Sequence, residues 1–168
     1  MADGGIDPIK TRQRIEQALS ILNELGLPRA QLNERSALTL LALLGLKPHD
    51  EWADASEPLC GITLMMDFFR NHYGKEYKPN TRETVRRQTV HQFLDAGLIV
   101  ANPDRPDRPV NSPKAVYQIE TSALSLLRSF GRKSWNKNLA TYLSSIETLK
   151  KKYAQEREMT RIPILGPY

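Results

Sequence analysis

Residues 78–100 read KPNTRETVRRQTVHQFLDAGLIV, and this stretch decides the fold. Its spacing predicts a helix that begins at Asn80 or Thr81, either of which can cap it, and that ends near Gly97. The apolar LIVAN that follows is typical of a β-strand. The first two turns of the helix are unusually rich in arginine, threonine and glutamine. This composition indicates a function that needs many hydrogen-bond donors on one short helix.

Three more helices are predicted upstream of this one, in KTRQRIEQALSILNELGLP, in NERSALTLLALLGLKP and from Glu57 to Tyr73. The second is apolar enough to lie at the centre of the domain. The third is expected to turn Leu64, Met65, Phe68 and Phe69 inward. The first ten residues are rich in glycine and aspartate, and we expect residues 1–10 to be a loose segment.

Downstream, Ala115–Ile119 is predicted to be a second strand. The segment PDRPDRPVNSPK between the strands holds four prolines, which cannot donate to a sheet, so it is predicted to be an extended surface loop. A helix in TSALSLLRSFG, capped by Thr121 or Ser122, and an amphipathic helix over 134–158 complete the pattern. The apolar stripe of this last helix could pair two copies of the chain or pack on its own domain; it consists of Leu139, Tyr142, Leu143, Ile146, Leu149 and Tyr153.

Three helices followed by a two-stranded hairpin is the element order of a winged helix. The predicted fold class is therefore mainly α with a small β-hairpin, a winged-helix or helix-turn-helix domain with flanking helices. We assign this domain to residues 11–133. In such folds the helix before the hairpin enters the major groove of DNA, and here that helix carries the arginines.

The composition is compatible with this reading. The chain has 168 residues, with 24 Lys and Arg against 19 Asp and Glu, so its net charge of +5 suits a nucleic-acid partner without proving one. The single cysteine, Cys60, excludes an intramolecular disulfide and is predicted to be a buried thiol, as in a reducing cytoplasm. The N-terminus does not resemble a signal peptide, and the most apolar run is half of the roughly 20 residues of a membrane span. We expect a cytoplasmic protein without a membrane partner.

At about 100° per residue, the helix separates into two faces. The core face is predicted to hold Val85, Thr89, Val90, Phe93 and Leu94. The opposite face, free to meet a partner, is predicted to hold Thr81, Thr84, Arg87, Gln88 and His91. Arg82 and Arg86 fall inside the apolar arc. Arg82 can still reach outward from the first turn, whereas Arg86 either contacts DNA or binds carboxylates and carbonyls within the domain.

These residue types suit the reading of DNA bases. Arginine forks onto guanine and glutamine pairs with adenine, while threonine hydroxyls suit phosphates. The proline loop carries Arg105, Arg108 and Lys114, which we expect to contact phosphates as a wing. Two alternatives stay open: the helix face is merely solvated, and the loop is a rigid surface loop whose arginines pair with its own aspartates.

Three long segments, NERSALTLLALLGLKP, NTRETVRRQTVHQFLDAGL and NPDRPDRPVNSPKAVYQI, resemble the N-terminal region of the BsuBI/PstI family of type II restriction endonucleases. The resemblance covers nearly the whole chain after about Lys10. It implies a helix-turn-helix domain that binds double-stranded DNA and precedes a magnesium-dependent PD-(D/E)xK nuclease domain. Residues 159–168 are then a linker toward that nuclease domain, which we expect to be absent from this chain.

We therefore expect no catalytic residue, metal ligand or cofactor of this chain's own, and Mg²⁺ only in the implied nuclease domain. The one acid-x-Lys candidate is EYK at 76–78, with Asp67 upstream, and it is predicted to lie in a turn. The three histidines are scattered, without metal-ligand spacing. The alternatives to a recognition domain are a stand-alone winged-helix regulator and a winged helix that binds another protein, and enzymatic activity stays an open question.

Overall fold

The computed structural model describes residues 6–146. Its first half consists of three α-helices joined by two short 3₁₀ turns, Arg29–Gln31 and Trp52–Asp54. The helices are α1 (Pro8–Glu24), α2 (Glu34–Leu43) and α3 (Ile62–Tyr73).

The second half begins with the arginine-bearing helix. It consists of α4 (Thr81–Thr84), a π-helical segment (Val85–Val90) and α5 (His91–Asp95), which follow one another without a break. We call these three together the arginine helix. The elements after it are β1 (Ile99–Ala101), β2 (Tyr117–Ile119), α6 (Thr121–Leu127) and a helix α7 described over 135–146. The predicted fold class, mainly α with one small hairpin, is confirmed.

Helix α2 lies at the centre, as its apolar sequence predicts. Every residue from Ser36 to Leu43 is buried, and the helix contacts α1, α3, the π-helical segment and β2. Asn33 caps its start by accepting a hydrogen bond from the backbone N–H of Ser36 at 2.8 Å. These four elements are therefore fixed relative to one another by packing around α2.

A segment that was not predicted to be extended, at Cys60, also pairs with the two-stranded sheet. β1 and β2 pair antiparallel, with Ile99 opposite Ile119, and Cys60 forms an antiparallel bridge to Tyr117 on the other side of β2. The expected start of α3 at Glu57 is wrong because the backbone of Cys60 is committed to this bridge, exchanging two hydrogen bonds with Tyr117 at 2.9 and 3.0 Å. The helix begins only at Ile62.

Two predictions about helix faces and termini are also wrong. Residues 8–10 are not loose, since α1 begins at Pro8 and the carboxylate of Asp7 caps it. Met65 and Phe69 are buried and Phe68 is partly buried, but Leu64 is 53% exposed. Residues 1–5 lie outside the described residues.

Neither of two predicted side-chain caps is found. Asn80 is itself in a helical conformation, and neither it nor Thr81 provides a side-chain cap; a backbone turn from Lys78 to Arg82 starts the arginine helix instead. Helix α6 is capped by neither Thr121 nor Ser122 but by Glu120, whose carboxylate accepts from the backbone N–H of Ala123 at 2.9 Å. A polar group adjoining the expected position performs the same task.

The described part of α7 packs on the domain. Trp135 and Tyr142 belong to the core, and the indole N–H of Trp135 donates to Glu24 of α1 at 3.2 Å. Leu139 and Ile146 pack against the same core, while Leu143 is 38% exposed. The rest of the predicted helix to residue 158, with Leu149 and Tyr153 of its stripe, and segment 159–168 lie outside the described residues.

Cys60 is buried, as predicted, and burial raises the pKa of its thiol to about 12. The thiol is therefore protonated and unreactive at neutral pH. Within residues 6–146, no helix combines the length and the apolar character needed to cross a membrane.

Candidate nucleic-acid interface

The arginine helix is held by a buried face and presents a polar face. Val85, Thr89, Val90 and Phe93 are fully buried, and Leu94 is partly buried against the core. The predicted core face is thus confirmed. A π-helix bonds residue i to i+5, so Val85 and Val90 align on one side, which explains why both are buried together.

The polar face is narrower than predicted. Arg87 and Gln88 are exposed, and the side chain of Arg87 is 77% accessible. Its ion pair from Nε to the Glu83 carboxylate at 3.4 Å is a surface pair of the kind that contributes little to stability. Thr81 and Thr84 are partly buried, so the outward face is centred on Arg87 and Gln88.

His91 does not lie on the free face, and that prediction is wrong. Its ring is partly buried, and Nε2 is inaccessible and has no hydrogen-bond partner among the described residues. His91 lines a cavity of about 200 Å³ together with Leu94, Ala101 and Val110. The physical reason is again the π-helical segment, which aligns residue 91 with the partly buried residue 86.

Arg86 points into the domain, which was one of the two alternatives. Its side chain is only 13% exposed and pairs with Glu83 one turn earlier. Burial raises the pKa of the Tyr117 hydroxyl, and the neighbouring Arg86 guanidinium opposes that rise. The Arg86 guanidinium therefore lies close to Tyr117 of β2. Arg82 is partly buried.

Sequence reasoning missed Arg35, on the first turn of α2. Its Nε donates to the hydroxyl of Thr89 at 3.0 Å, and its Nη2 donates to Oε1 of Gln88 at 3.4 Å. A cation in the first turn of a helix interacts unfavourably with the helix dipole, but this does not reveal which distant residues the side chain contacts.

The proline loop, residues 102–116 between β1 and β2, is not extended as predicted. Successive backbone hydrogen bonds, each from residue i+3 to residue i, fold it into tight turns that start at Asn102, Arg105, Pro109 and Ser112. Proline adopts the backbone conformation of a turn and lacks the N–H that a ladder needs, so the same residues that prevent strand pairing favour turns.

Asn102 organises this loop, and the sequence reading did not single it out. It is 2% exposed and has a positive φ of 51°. Its amide donates to the carbonyl of Arg108 at 2.9 Å, and its Oδ1 accepts from the backbone N–H of Val116 at 3.0 Å. One side chain therefore joins the two ends of the loop.

The two loop arginines differ in their exposure. Arg108 is 18% exposed, because its guanidinium donates to Asn102 at 3.1 Å and forks onto Asp104 at 3.2 and 3.3 Å. Arg105 is 65% exposed and contacts Asp107 at 3.4 Å. Hydrogen bonds from these arginines hold the pKa of both aspartates below the usual value. Lys114 is exposed at the end of the loop.

The residues of this region do not fit a Mg²⁺ site. Glu76 and Lys78 lie between α3 and the arginine helix, outside any strand, and Asp67 pairs with Arg70 at 3.2 Å. Within residues 6–146 there is no group of three or more His, Cys, Asp or Glu that could hold a metal ion. The surface offers exposed guanidinium, amide and ammonium groups, which suit the binding of anions and base edges.

Known proteins share this architecture. A model of the family described as the BsuBI/PstI restriction endonuclease HTH domain matches residues 12–151. The chain is 54% identical over 150 residues to the type II restriction enzyme BsuBI of Bacillus subtilis, which covers 89% of this chain and 48% of that enzyme. It is 36% identical over 152 residues to the type II restriction enzyme AplI of Arthrospira platensis, with 90% and 47% coverage.

A solved structure agrees. The SdaI restriction endonuclease superposes with a TM-score of 0.76 and 35% sequence identity, over 84% of this chain and 44% of that one. The chain thus spans about half the length of each of the proteins it matches.

Proposed function

The chain belongs to the family of BsuBI/PstI restriction endonuclease HTH domains, and from this premise we propose that it recognises specific sequences of double-stranded DNA for a type II restriction endonuclease. The observation that carries this proposal is the exposure of Arg87 and Gln88 on a helix whose opposite face is buried. Helices that enter the major groove place such residues against base edges.

The order of elements supports a winged-helix arrangement. In this proposal α3 and the arginine helix are the two helices of the helix-turn-helix, and the proline loop is the wing. The bridge between Cys60 and Tyr117 adds a third contributor to the sheet behind the wing and ties the start of α3 to the hairpin. The groove-entering helix and the wing therefore share one rigid support.

The chemistry divides into base contacts and phosphate contacts. Arg87 can donate two hydrogen bonds to guanine, and Gln88 can donate from its amide to an acceptor on a base edge such as adenine N7. The residues that contact phosphates are Arg105 and Lys114 on the wing, and Thr81, Arg82 and Thr84 at the start of the arginine helix. Arg86 and Arg108 are largely buried, and they support the exposed residues through contacts within the protein.

Cleavage belongs to another part of the enzyme in this proposal. The described residues do not fit Mg²⁺, so a magnesium-dependent nuclease domain outside residues 6–146 would perform the hydrolysis. A palindromic site would be read by two copies of the chain, which makes a homodimer part of the proposal. A cytoplasmic location follows from access to DNA.

The proposal is tested with a duplex library whose central base pairs are randomised. The chain should retain a defined subset of the library in a gel shift and, with Mg²⁺, should leave plasmid uncut. Arg87→Ala should lose about 5- to 150-fold discrimination at one base pair, which corresponds to the loss of one bidentate contact. Thermal unfolding should be unchanged, because the side chain is exposed.

Arg12, exposed on α1, gives the matched control. Arg12→Ala removes the same charge far from the proposed contact in sequence and should leave the base preference intact. Wild-type binding that falls with salt yet is equal for all duplexes would show an electrostatic contact without recognition, and the proposal would fail. Mg²⁺-dependent cleavage by the purified chain would contradict its division of labour.

A further inference from the structure

Arg35 lies behind the proposed base-reading face. It belongs to α2, the buried central helix, and its side chain is partly buried. Its guanidinium reaches the arginine helix at two adjacent residues, with Nε on the Thr89 hydroxyl and Nη2 on Oε1 of Gln88. Among the described residues, this is the side-chain hydrogen bond that Gln88 makes. A long-range contact of this kind, between residues 53 positions apart, is made by the fold and not by the helix itself.

The contact with Thr89 fixes where the guanidinium sits. Thr89 is fully buried in the core, so its hydroxyl is a rigid acceptor at 3.0 Å. The guanidinium is planar and its donors are arranged in a fixed fork. Nε–H and one N–H of Nη2 point to the same side of the fork, so a guanidinium bonded to Thr89 through Nε presents Nη2 to the adjacent Gln88.

The contact with Gln88 fixes the polarity of its amide. Arginine has donors and no acceptor, so the end of the amide that faces it is the oxygen, whichever way the amide would otherwise rotate. The nitrogen end, with two N–H donors, is then left for the partner. An unsupported glutamine can turn either end toward a base and accept either pattern of donors and acceptors.

We infer that Arg35 is a positioning residue for sequence recognition: it holds the Gln88 amide so that its N–H donors meet the base edge. This inference rests on the proposed function. Adenine, guanine and thymine all present an acceptor in the major groove, whereas the cytosine edge presents only the N4 donor. Gln88 held by Arg35 therefore rejects cytosine at the base that it contacts.

The randomised duplex library is again the probe, and the bound fraction is sequenced for each variant. Gln88→Ala identifies the position that Gln88 reads. Arg35→Ala should broaden the preference at that same position and raise the share of cytosine there several-fold. Gln88→Ala combined with Arg35→Ala should lose no more preference than Gln88→Ala alone, because Arg35 acts through Gln88.

Arg35→Lys separates positioning from stability and charge. Lysine keeps the charge and most of the stem, so the fold should be retained, but one ammonium cannot bond Thr89 and Gln88 along the two directions of the fork. It should broaden the same position as Arg35→Ala does, at wild-type melting temperature. Arg12→Ala, the charge control on α1, should leave that position unchanged.

Three results overturn the inference. If Arg35→Ala weakens all duplexes equally and lowers the slope of log K against log salt by about 0.9, Arg35 contacts a phosphate and positions nothing. If Arg35→Lys and Arg35→Ala both retain the wild-type preference, Gln88 needs no support, and this inference fails while the proposed function stands. If the wild-type chain shows no base preference, both fail together.

Discussion

Two regions of this molecule each place a largely buried arginine close in sequence to an exposed one. In the arginine helix, Arg87 is 77% exposed and Arg86 13%. In the proline loop, Arg105 is 65% exposed and Arg108 18%. The sequence presents four similar residues, but the fold makes two of them available to a partner and uses the other two as supports. Exposure, not residue type, separates contact from support.

The regions differ in what holds them in shape. The arginine helix has a buried apolar face that includes Val85, Val90 and Phe93, so Arg86 adds one polar link to a structure that packing already fixes. In the proline loop, Ala115 is buried and Val110 packs only partly against the core. Its shape depends mainly on backbone turns and on the contacts of Asn102. Removal of one polar side chain should therefore lower the free energy of unfolding more in the loop than in the helix.

Asn102→Ala is the strongest test of that difference. It removes the hydrogen bonds to Arg108 and Val116 and forces alanine into a positive φ. Unsatisfied buried backbone groups and left-handed strain together should lower the free energy of unfolding by about 2–4 kcal/mol. Urea denaturation of the variant and the wild type measures this change.

Asn102→Gly is the matched control. Glycine adopts a positive φ without strain, so it should recover roughly 1 kcal/mol of the loss while lacking the same hydrogen bonds. If alanine and glycine are equally stable and close to the wild type, Asn102 does not organise the loop, and the contrast between the two regions disappears.

The sequence predicts those parts of the fold in which apolar residues recur at the spacing of a helix or a strand. The central α2, the core face of the arginine helix and the hairpin all follow from apolar periodicity, which records directly which side of an element faces the core. His91 could not be placed in this way, because the π-helical segment before it changes the number of residues per turn. The pattern of apolar residues does not indicate this change in the number of residues per turn.

Contacts between distant parts of the chain were also beyond the sequence. The hydrogen bond from Arg35 to Thr89 joins residues 54 positions apart, and the bridge from Cys60 to Tyr117 likewise depends on the assembled core. The contact residues of the candidate site, Arg87 and Gln88, could be found because they lie on one helix. The residues that support them lie on other elements, and a local pattern does not reveal them.

Arg86→Ala and Arg87→Ala sharpen the comparison inside the helix. Arg86→Ala should lower the free energy of unfolding by about 1–2 kcal/mol, because it removes a side chain that is only 13% exposed, together with its ion pair to the more exposed Glu83 and its position beside Tyr117. Arg87→Ala should change it by less than about 0.5 kcal/mol, as expected for an exposed residue. Thermal unfolding and the base preference of each variant are measured together.

The expected pattern is that Arg86→Ala changes stability and Arg87→Ala changes preference. The opposite pattern, in which Arg87→Ala melts early and Arg86→Ala alone alters the bases selected, would show that the helix faces are assigned to the wrong residues. The base-reading role would then pass to Arg82 and Arg86.

The smallest effect is expected at Asp107, the partner of the exposed loop arginine. Arg105 holds the pKa of Asp107 below its usual value, so the carboxylate is ionised at neutral pH and offsets part of the charge that Arg105 would offer to a phosphate. Asp107→Asn keeps the shape and removes the charge, and because exposed ion pairs are weak, DNA affinity should rise no more than about fivefold for every duplex alike. Glu16→Gln, at an exposed position on α1, makes the same change in net charge and should raise affinity less.

Equal gains for both variants in a salt-matched gel shift would mean that Arg105 lies away from the DNA. A gain confined to certain sequences would mean that Arg105 reads bases, and the loop would then share the role assigned to the helix.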